Sequence, residues 1–170
     1  MQLTQSPSIL ARPIFMNSVA MTVKVIQALP EHGEIIARFN CEMAMETESK
    51  VLDHSVILPG VTTMLQDNSL GYYLVALKEE SVVGCLGVTF EWSDWRNGLF
   101  WWIQSVFVVR GHRTHGVFSS MYRNVKARAK ADTRSCGLRL YVEKENNNAF
   151  NTYVGLGMQE TNYRLMEELL

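Results

Sequence analysis

Between Val109 and Phe118 the chain reads VRGHRTHGVF, a short stretch rich in arginine, histidine and glycine. It follows the apolar run FWWIQSVFV and precedes a segment with helical periodicity. A strand that passes into a helix through a glycine-containing turn is a ready anion site. The first amides of the helix have no partner inside it, and its dipole favours negative charge. Gly116 has no Cβ, so the backbone there can approach a ligand closely, and Arg113 can add a positive charge. The chemistry is phosphate binding, with a plain turn as the alternative. No Gly-Lys-Ser/Thr follows, so this is not a P-loop. No G-x-G-x-x-G is present, which excludes the dinucleotide fingerprint.

A second group lies downstream. After LRLYVE the chain reads, from Asn146, N-x-x-A-x-x-x-Y-x-x-x-G-M. Ala149 and Tyr153 are four residues apart, so they share one face of a helix that Gly157 would cap. His112 and His115 have H-x-x-H spacing, but no further ligand is near in sequence and no metal is expected. Cys41, Cys85 and Cys136 are an odd number without metal-ligand spacing. They read as buried thiols in a reducing cytoplasm.

The elements that must position these residues follow from periodicity. TVKVIQAL, from Thr22, alternates and reads as a strand that Pro30 ends. From about Glu31, residues Ile35, Ile36, Phe39 and Met43 form a helical stripe. Asp53 is a good N-cap for a short helix through Leu58. Pro59-Gly60 then interrupts, and Val61 to Gln66 reads as a separate turn. YYLVALK, VVGCLGVTFEW and LFWWIQSVFVV are three strands, the last apolar on both faces like a central strand. Val117, Met121, Val125 and Ala129 share a helical face, and Gly137 reads as the stop of that helix. LRLYVE is a strand, Asn147 to Leu156 a helix, and YRLME a last strand. The order is β, α, α, β, β, β, α, β, α, β, with LRLYVE beside FWWIQSVFVV and the helix from Gly116 as crossover.

Bulk properties narrow the class. The 170 residues suffice for one domain with a core; 47% are hydrophobic and 19% charged, a globular rather than disordered composition. A formal net charge of −1 makes no electrostatic case for nucleic acid. No apolar run approaches the ~20 residues of a membrane span. Residues 1–20 lack the basic and apolar blocks of a signal peptide and read as a flexible extension, with Met16 and Met21 as alternative starts. Residues 21–170 form the domain, and the expected location is cytoplasmic.

Taken together, the two motifs and the element order resemble the GNAT superfamily of acetyl-CoA-dependent N-acetyltransferases. The family's [QR]-x-x-G-x-[GA] after its fourth strand is matched by Arg113-Thr114-His115-Gly116-Val117-Phe118. Its N-x-x-A-x-x-x-Y-x-x-x-G-F after the fifth strand is matched by Asn146, Ala149, Tyr153, Gly157 and Met158. There are two departures. Phe118 stands where Gly or Ala is usual, and either crowds the pyrophosphate or points into the core. Met158 replaces Phe, a tolerable apolar exchange.

The resemblance implies a single α/β GNAT domain: a mixed, mostly antiparallel sheet, flanked by helices, whose central strands 4 and 5 splay apart because the fourth strand bulges. It implies that the backbone of Val106, Phe107 and Val108 pairs with the pantetheine arm of acetyl-CoA. Arg113, Thr114, His115, Gly116, Val117, Phe118 and Ser119 would hold the pyrophosphate, and Asn146 the cofactor arm. Tyr153 would protonate the leaving thiolate. A backbone amide near Val108 would polarise the acetyl carbonyl. The general base is open between Glu143 and Glu46, ranked first, then Glu48, Glu91, Asp94 or a water chain. Tyr141 stands where some members carry a strand-five glutamate. Trp95 and Gln104 are further candidates to face the acceptor.

The function expected is N-acetylation of a small primary amine by direct attack in a ternary complex, with acetyl-CoA as co-substrate. Neither nucleic acid nor membrane is an expected partner, and the chain is a monomer or a homodimer. A non-catalytic acyl-CoA sensor or scaffold is the alternative, and another acyl donor a third.

Overall fold

The computed structural model describes residues 23–169, so the expected extension at 1–20 and the start of the first strand at Thr22 lie outside it. Five strands form one sheet in the order β1-β2-β3-β4-β5. They are β1 (Lys24–Gln27), β2 (Tyr72–Lys78), β3 (Ser81–Ser93), β4 (Gly98–Val108) and β5 (Ser135–Leu140). The first four pair antiparallel, and β5 lies parallel to β4. The helices are α1 (Gly33–Glu48), α2 (His54–Gln66), α3 (Val117–Ala131) and α4 (Asn147–Gly155).

Alternation along the strands builds a core on each face. Leu74, Leu86, Val88, Trp101 and Ile103 point to one side, where Val117, Met121 and Val125 of α3 cover them. Tyr73, Val75, Cys85 and Phe107 point to the other, against Ile36 and Phe39 of α1 and Val61 of α2. Trp101 is therefore ordinary core, while its neighbour Trp102 lies on the opposite face and is only half-buried.

Three expectations are corrected. Helix α2 runs straight through Pro59 and Gly60 instead of breaking there. Asp53 caps it by accepting from the Ser55 amide at 2.8 Å. Pro59 forfeits one backbone bond, a cost of about 3 kcal/mol, but a continuous helix brings Val61, 1% exposed, into the core. Strand β5 is shifted: it covers Ser135–Leu140, not residues 138–143. Gly137 is inside the strand, not a helix stop, because a Cβ there would stand 2.8 Å from the Phe100 ring. Only glycine lets β5 lie this close to β4. Finally, Tyr163–Glu167 forms no strand; the segment is exposed and pairs with no sheet edge among the described residues.

Candidate active site

The parallel pairing of β4 with β5 runs only from Leu99–Ser135 to Ile103–Leu140. Beyond it the strands part, and the cause is local. On the β3 side, Gly87 pairs with Gln104 but Cys85 pairs with Phe107. Ser105 and Val106 thus oppose Leu86 alone, which is a β-bulge. Ser105 takes a left-handed φ of 50° to make it. The bulge re-aims the end of β4 and leaves its backbone from Gln104 onward without a β5 partner.

A cleft of about 270 Å³ opens in that gap. One wall is α1, through Met43, Thr47 and Glu48. The floor is β4, from Ile103 to Val106. The far wall is the chain leaving β5, Tyr141 to Glu143, together with Asn146, Ala149 and Tyr153 of the α4 region.

The turn after β4 passes from strand to helix through two left-handed residues. A short 3-10 turn at Arg110–His112 leads into Thr114 at φ 64° and Gly116 at φ 76°. Gly116 is the N-cap of α3 and offers no side chain, so the first amides of the helix have no capping group. A Cβ on Gly116 would meet nothing within 4 Å; its backbone angle, not crowding, calls for glycine. Among the following residues, Val117 is buried in the core and Ser119 is half-buried on the first turn of α3.

Arg113 is committed elsewhere. Its Nε donates to the Val108 carbonyl at 2.8 Å, and its Nη2 donates to Glu46 at 2.6 Å. Thr114 Oγ1 donates to the Arg113 carbonyl, and His115 Nδ1 lies 2.6 Å from the same oxygen. Of the backbone stretch 106–108, Val106 lines the cleft, whereas the Phe107 side chain is buried against Phe39 with ring centroids 4.8 Å apart.

Phe118 points toward the core. Its ring meets Tyr153 edge-on at 5.5 Å and Tyr122 at 6.0 Å, so it joins α3 to α4. Tyr153 is half-buried, and burial pushes its phenol pKa above the usual 10. The group stays protonated at neutral pH, the state a proton donor needs. Asn146 caps α4 by accepting from the Ala149 amide at 3.1 Å.

The carboxylates separate. Glu143 lines the cleft, with one oxygen accepting from the Glu145 amide at 2.8 Å. Glu48 also lines it. Glu46 does not, and pairs with Arg113 and, at 3.7 Å, with Arg110. Residues two apart on a helix point to different sides, which is why Glu46 and Glu48 part company. Glu91 accepts from the Trp102 indole and from Arg139. Asp94 accepts from the Trp95 amide, and Trp95 is solvent-exposed away from the cleft. Gln104 lines the cleft and donates to Thr89 at 2.6 Å. Sequence reasoning missed Thr47, and it implied a bulge in the fourth strand without locating it at Ser105. Nothing in a serine inside an apolar strand announces a left-handed residue.

Residues 34–158 match the model of the acetyltransferase (GNAT) family. A possible acetyltransferase from Clostridium difficile 630 is similar, with 41% identity and a TM-score of 0.81 over 87% of this chain and 97% of that one. A predicted acetyltransferase from Clostridium acetobutylicum, solved with acetyl-CoA, shares the fold at 14% identity and a TM-score of 0.74, over 86% and 96% of the two chains. So does a transcriptional regulator from Bacillus halodurans C-125, at 18% identity and a TM-score of 0.75, over 87% and 100%. No curated protein matches the chain.

Proposed function

Because the chain belongs to the acetyltransferase (GNAT) family, we propose that it transfers the acetyl group of acetyl-CoA to the primary amine of a small molecule, by direct attack in a ternary complex. The observation that carries this reading is the cleft itself. It lies where bulged β4 leaves β5, with a protonated, half-buried phenol on its wall. The β4 backbone at Val106–Val108, paired with β3 but without a β5 partner, suits the amides of a pantetheine arm. The uncapped first turn of α3, from Thr114 to Ser119, suits a pyrophosphate. Asn146 lines the cleft, a position that suits a contact with the cofactor arm.

The acceptor enters as an ammonium and must first lose a proton. Glu143 is the base we assign, directly or through a water, because it lines the cleft while Glu46 is held by Arg113. The amine lone pair then attacks the thioester carbonyl and the C–N bond forms. The C–S bond breaks, and Tyr153 gives its proton to the leaving sulfur. The attached nitrogen gives its second proton to the Tyr153 phenolate and Glu143 releases the first to solvent, so the ammonium's two protons end on sulfur, by way of the phenol, and in solvent.

Thermal unfolding with acetyl-CoA, free CoA and ATP tests binding first. At a hundred times its dissociation constant a ligand adds about 2.7 kcal/mol of stability. Acetyl-CoA and CoA should stabilise and ATP should not. The Tyr153→Phe variant then tests chemistry: it should keep the stabilisation by CoA and lose about 10²-fold or more in kcat. Retained CoA binding with no turnover in the unsubstituted protein would instead favour the non-catalytic acyl-CoA module.

A further inference from the structure

The chemistry of the cleft is one-sided. Of the side chains that line it, Glu48 and Glu143 are the charged ones, and no Lys, Arg or His is among them. Two nearby arginines are committed, and Lys144, next to Glu143 in the chain, is exposed and is not among the lining residues. Arg113 is held by Glu46 and the Val108 carbonyl, and Arg139 by Glu91 at 2.8 Å. A substrate carboxylate entering here would be desolvated with no cation to meet it, beside two groups of its own sign. An ammonium would meet the opposite.

The cleft also carries an aromatic platform. Tyr141 is 53% exposed and lines the cleft. Its ring lies 4.5 Å from that of Trp102, with 32° between the planes. Trp102 is fixed in turn: its indole N–H donates to Glu91. The other oxygen of Glu91 accepts from Arg139, whose guanidinium sits 3.6 Å over the Phe100 ring. Side chains from β3, β4 and β5 thus lock Trp102, and Trp102 backs Tyr141. An open aromatic face held this firmly is pre-organised for a ligand. A π-face beside carboxylates selects organic cations.

Resting on the acetyltransferase reading, we infer that the acceptor is a primary amine on a hydrocarbon or aromatic body without a carboxylate, and that Tyr141 is the residue that selects it. The Trp102–Glu91–Arg139 chain is the positioning network behind Tyr141.

Matched pairs that differ by one carboxylate test this: phenethylamine against phenylalanine, and cadaverine against lysine, each with acetyl-CoA and thiol release as readout. Each amine should exceed its amino acid by about tenfold or more in kcat/KM, the equivalent of 1.4 kcal/mol. Tyr141→Ala should raise the KM for phenethylamine about five- to thirtyfold, as loss of a stacked or cation–π contact does, with kcat little changed. Tyr141→Phe should restore that KM. A merely structural tyrosine would instead lower stability and kcat for all substrates alike. Amino acids acetylated as well as their amines, or an unchanged KM in Tyr141→Ala, overturn the inference. If none of the four is acetylated, calorimetric titration of the CoA-loaded protein should give the same order of affinities, and no binding by either amine also overturns it. Stabilisation by acetyl-CoA keeps the two readings apart. Its absence removes the acetyltransferase reading, whereas its presence with silent amines removes only the acceptor class.

Discussion

Arg113 shows how one side chain can serve a site without facing the ligand. Its guanidinium ties the end of β4 to α1 through the Val108 carbonyl and Glu46. It thereby fixes the backbone that leads into the left-handed Thr114 and Gly116. The pair is more than a third exposed on each side, so solvent screens it. A double-mutant cycle with Arg113→Leu and Glu46→Gln should give a coupling of about 0.5–1 kcal/mol in urea unfolding. No coupling would make the contact incidental. Phe118 is the second instructive residue. Its bulk goes into the junction of α3 and α4 and against Tyr153, where it supports the phenol.

At the level of elements, the site is a consequence of two strands failing to stay together. β4 and β5 pair closely where Gly137 admits the Phe100 ring, then part at the Ser105 bulge. The wall opposite depends on α1 and α2 packing as a pair, and α2 carries a proline in its interior. Pro59 cannot donate to the Ser55 carbonyl, and its ring crowds that turn. Pro59→Ala restores the bond at an exposed position and should stabilise the fold by about 1–3 kcal/mol. For a chain of this length that is a rise of roughly 2–4 °C in Tm per kcal/mol. An unchanged or lower Tm would show that the proline is matched to a bend the core requires.

The whole molecule buries several groups that ionise only in alkali. Burial pushes Tyr72 up to about 12 and raises Tyr73, Tyr122 and Tyr153, and it pushes the Cys85 thiol up to about 12. The unfolded chain loses these protons first, near 9 for the thiol and near 10 for the phenols. Above those values it holds fewer protons than the folded state, so stability falls as pH rises. Their stabilising effect is complete below about pH 9 and is lost progressively toward 12. Urea midpoints from pH 7 to 11.5 should be level in these groups at the neutral end and then decline; a midpoint still level at pH 11.5 would contradict the burial of all five. Among the described residues no helix is long and apolar enough to cross a membrane.

The amino-acid sequence by itself determined the element types from β1 to α4, the neighbourhood of β4 and β5, and the two motifs, but not the absence of a strand at Tyr163–Glu167. Period-two alternation, helical stripes and punctuating glycines are local properties, and a chain writes them down in order. The turn at Gly116 was legible for the same reason, and the phenol at Tyr153 was legible through the motif that resembles the family's. What the sequence could not settle was anything that depends on a partner distant along the chain. Pro59 reads as a breaker until the pocket for Val61 is seen, and Gly137 reads as a stop until Phe100 lies over it. Which of Glu46, Glu48, Glu91 and Glu143 faces the cleft was decided by Arg113, Arg139 and the helical turn between two of them. Ser105 is left-handed because two strands differ in length by one residue at that point. Packing across the sheet, not local preference, set that angle, and with it the cleft in which any chemistry takes place.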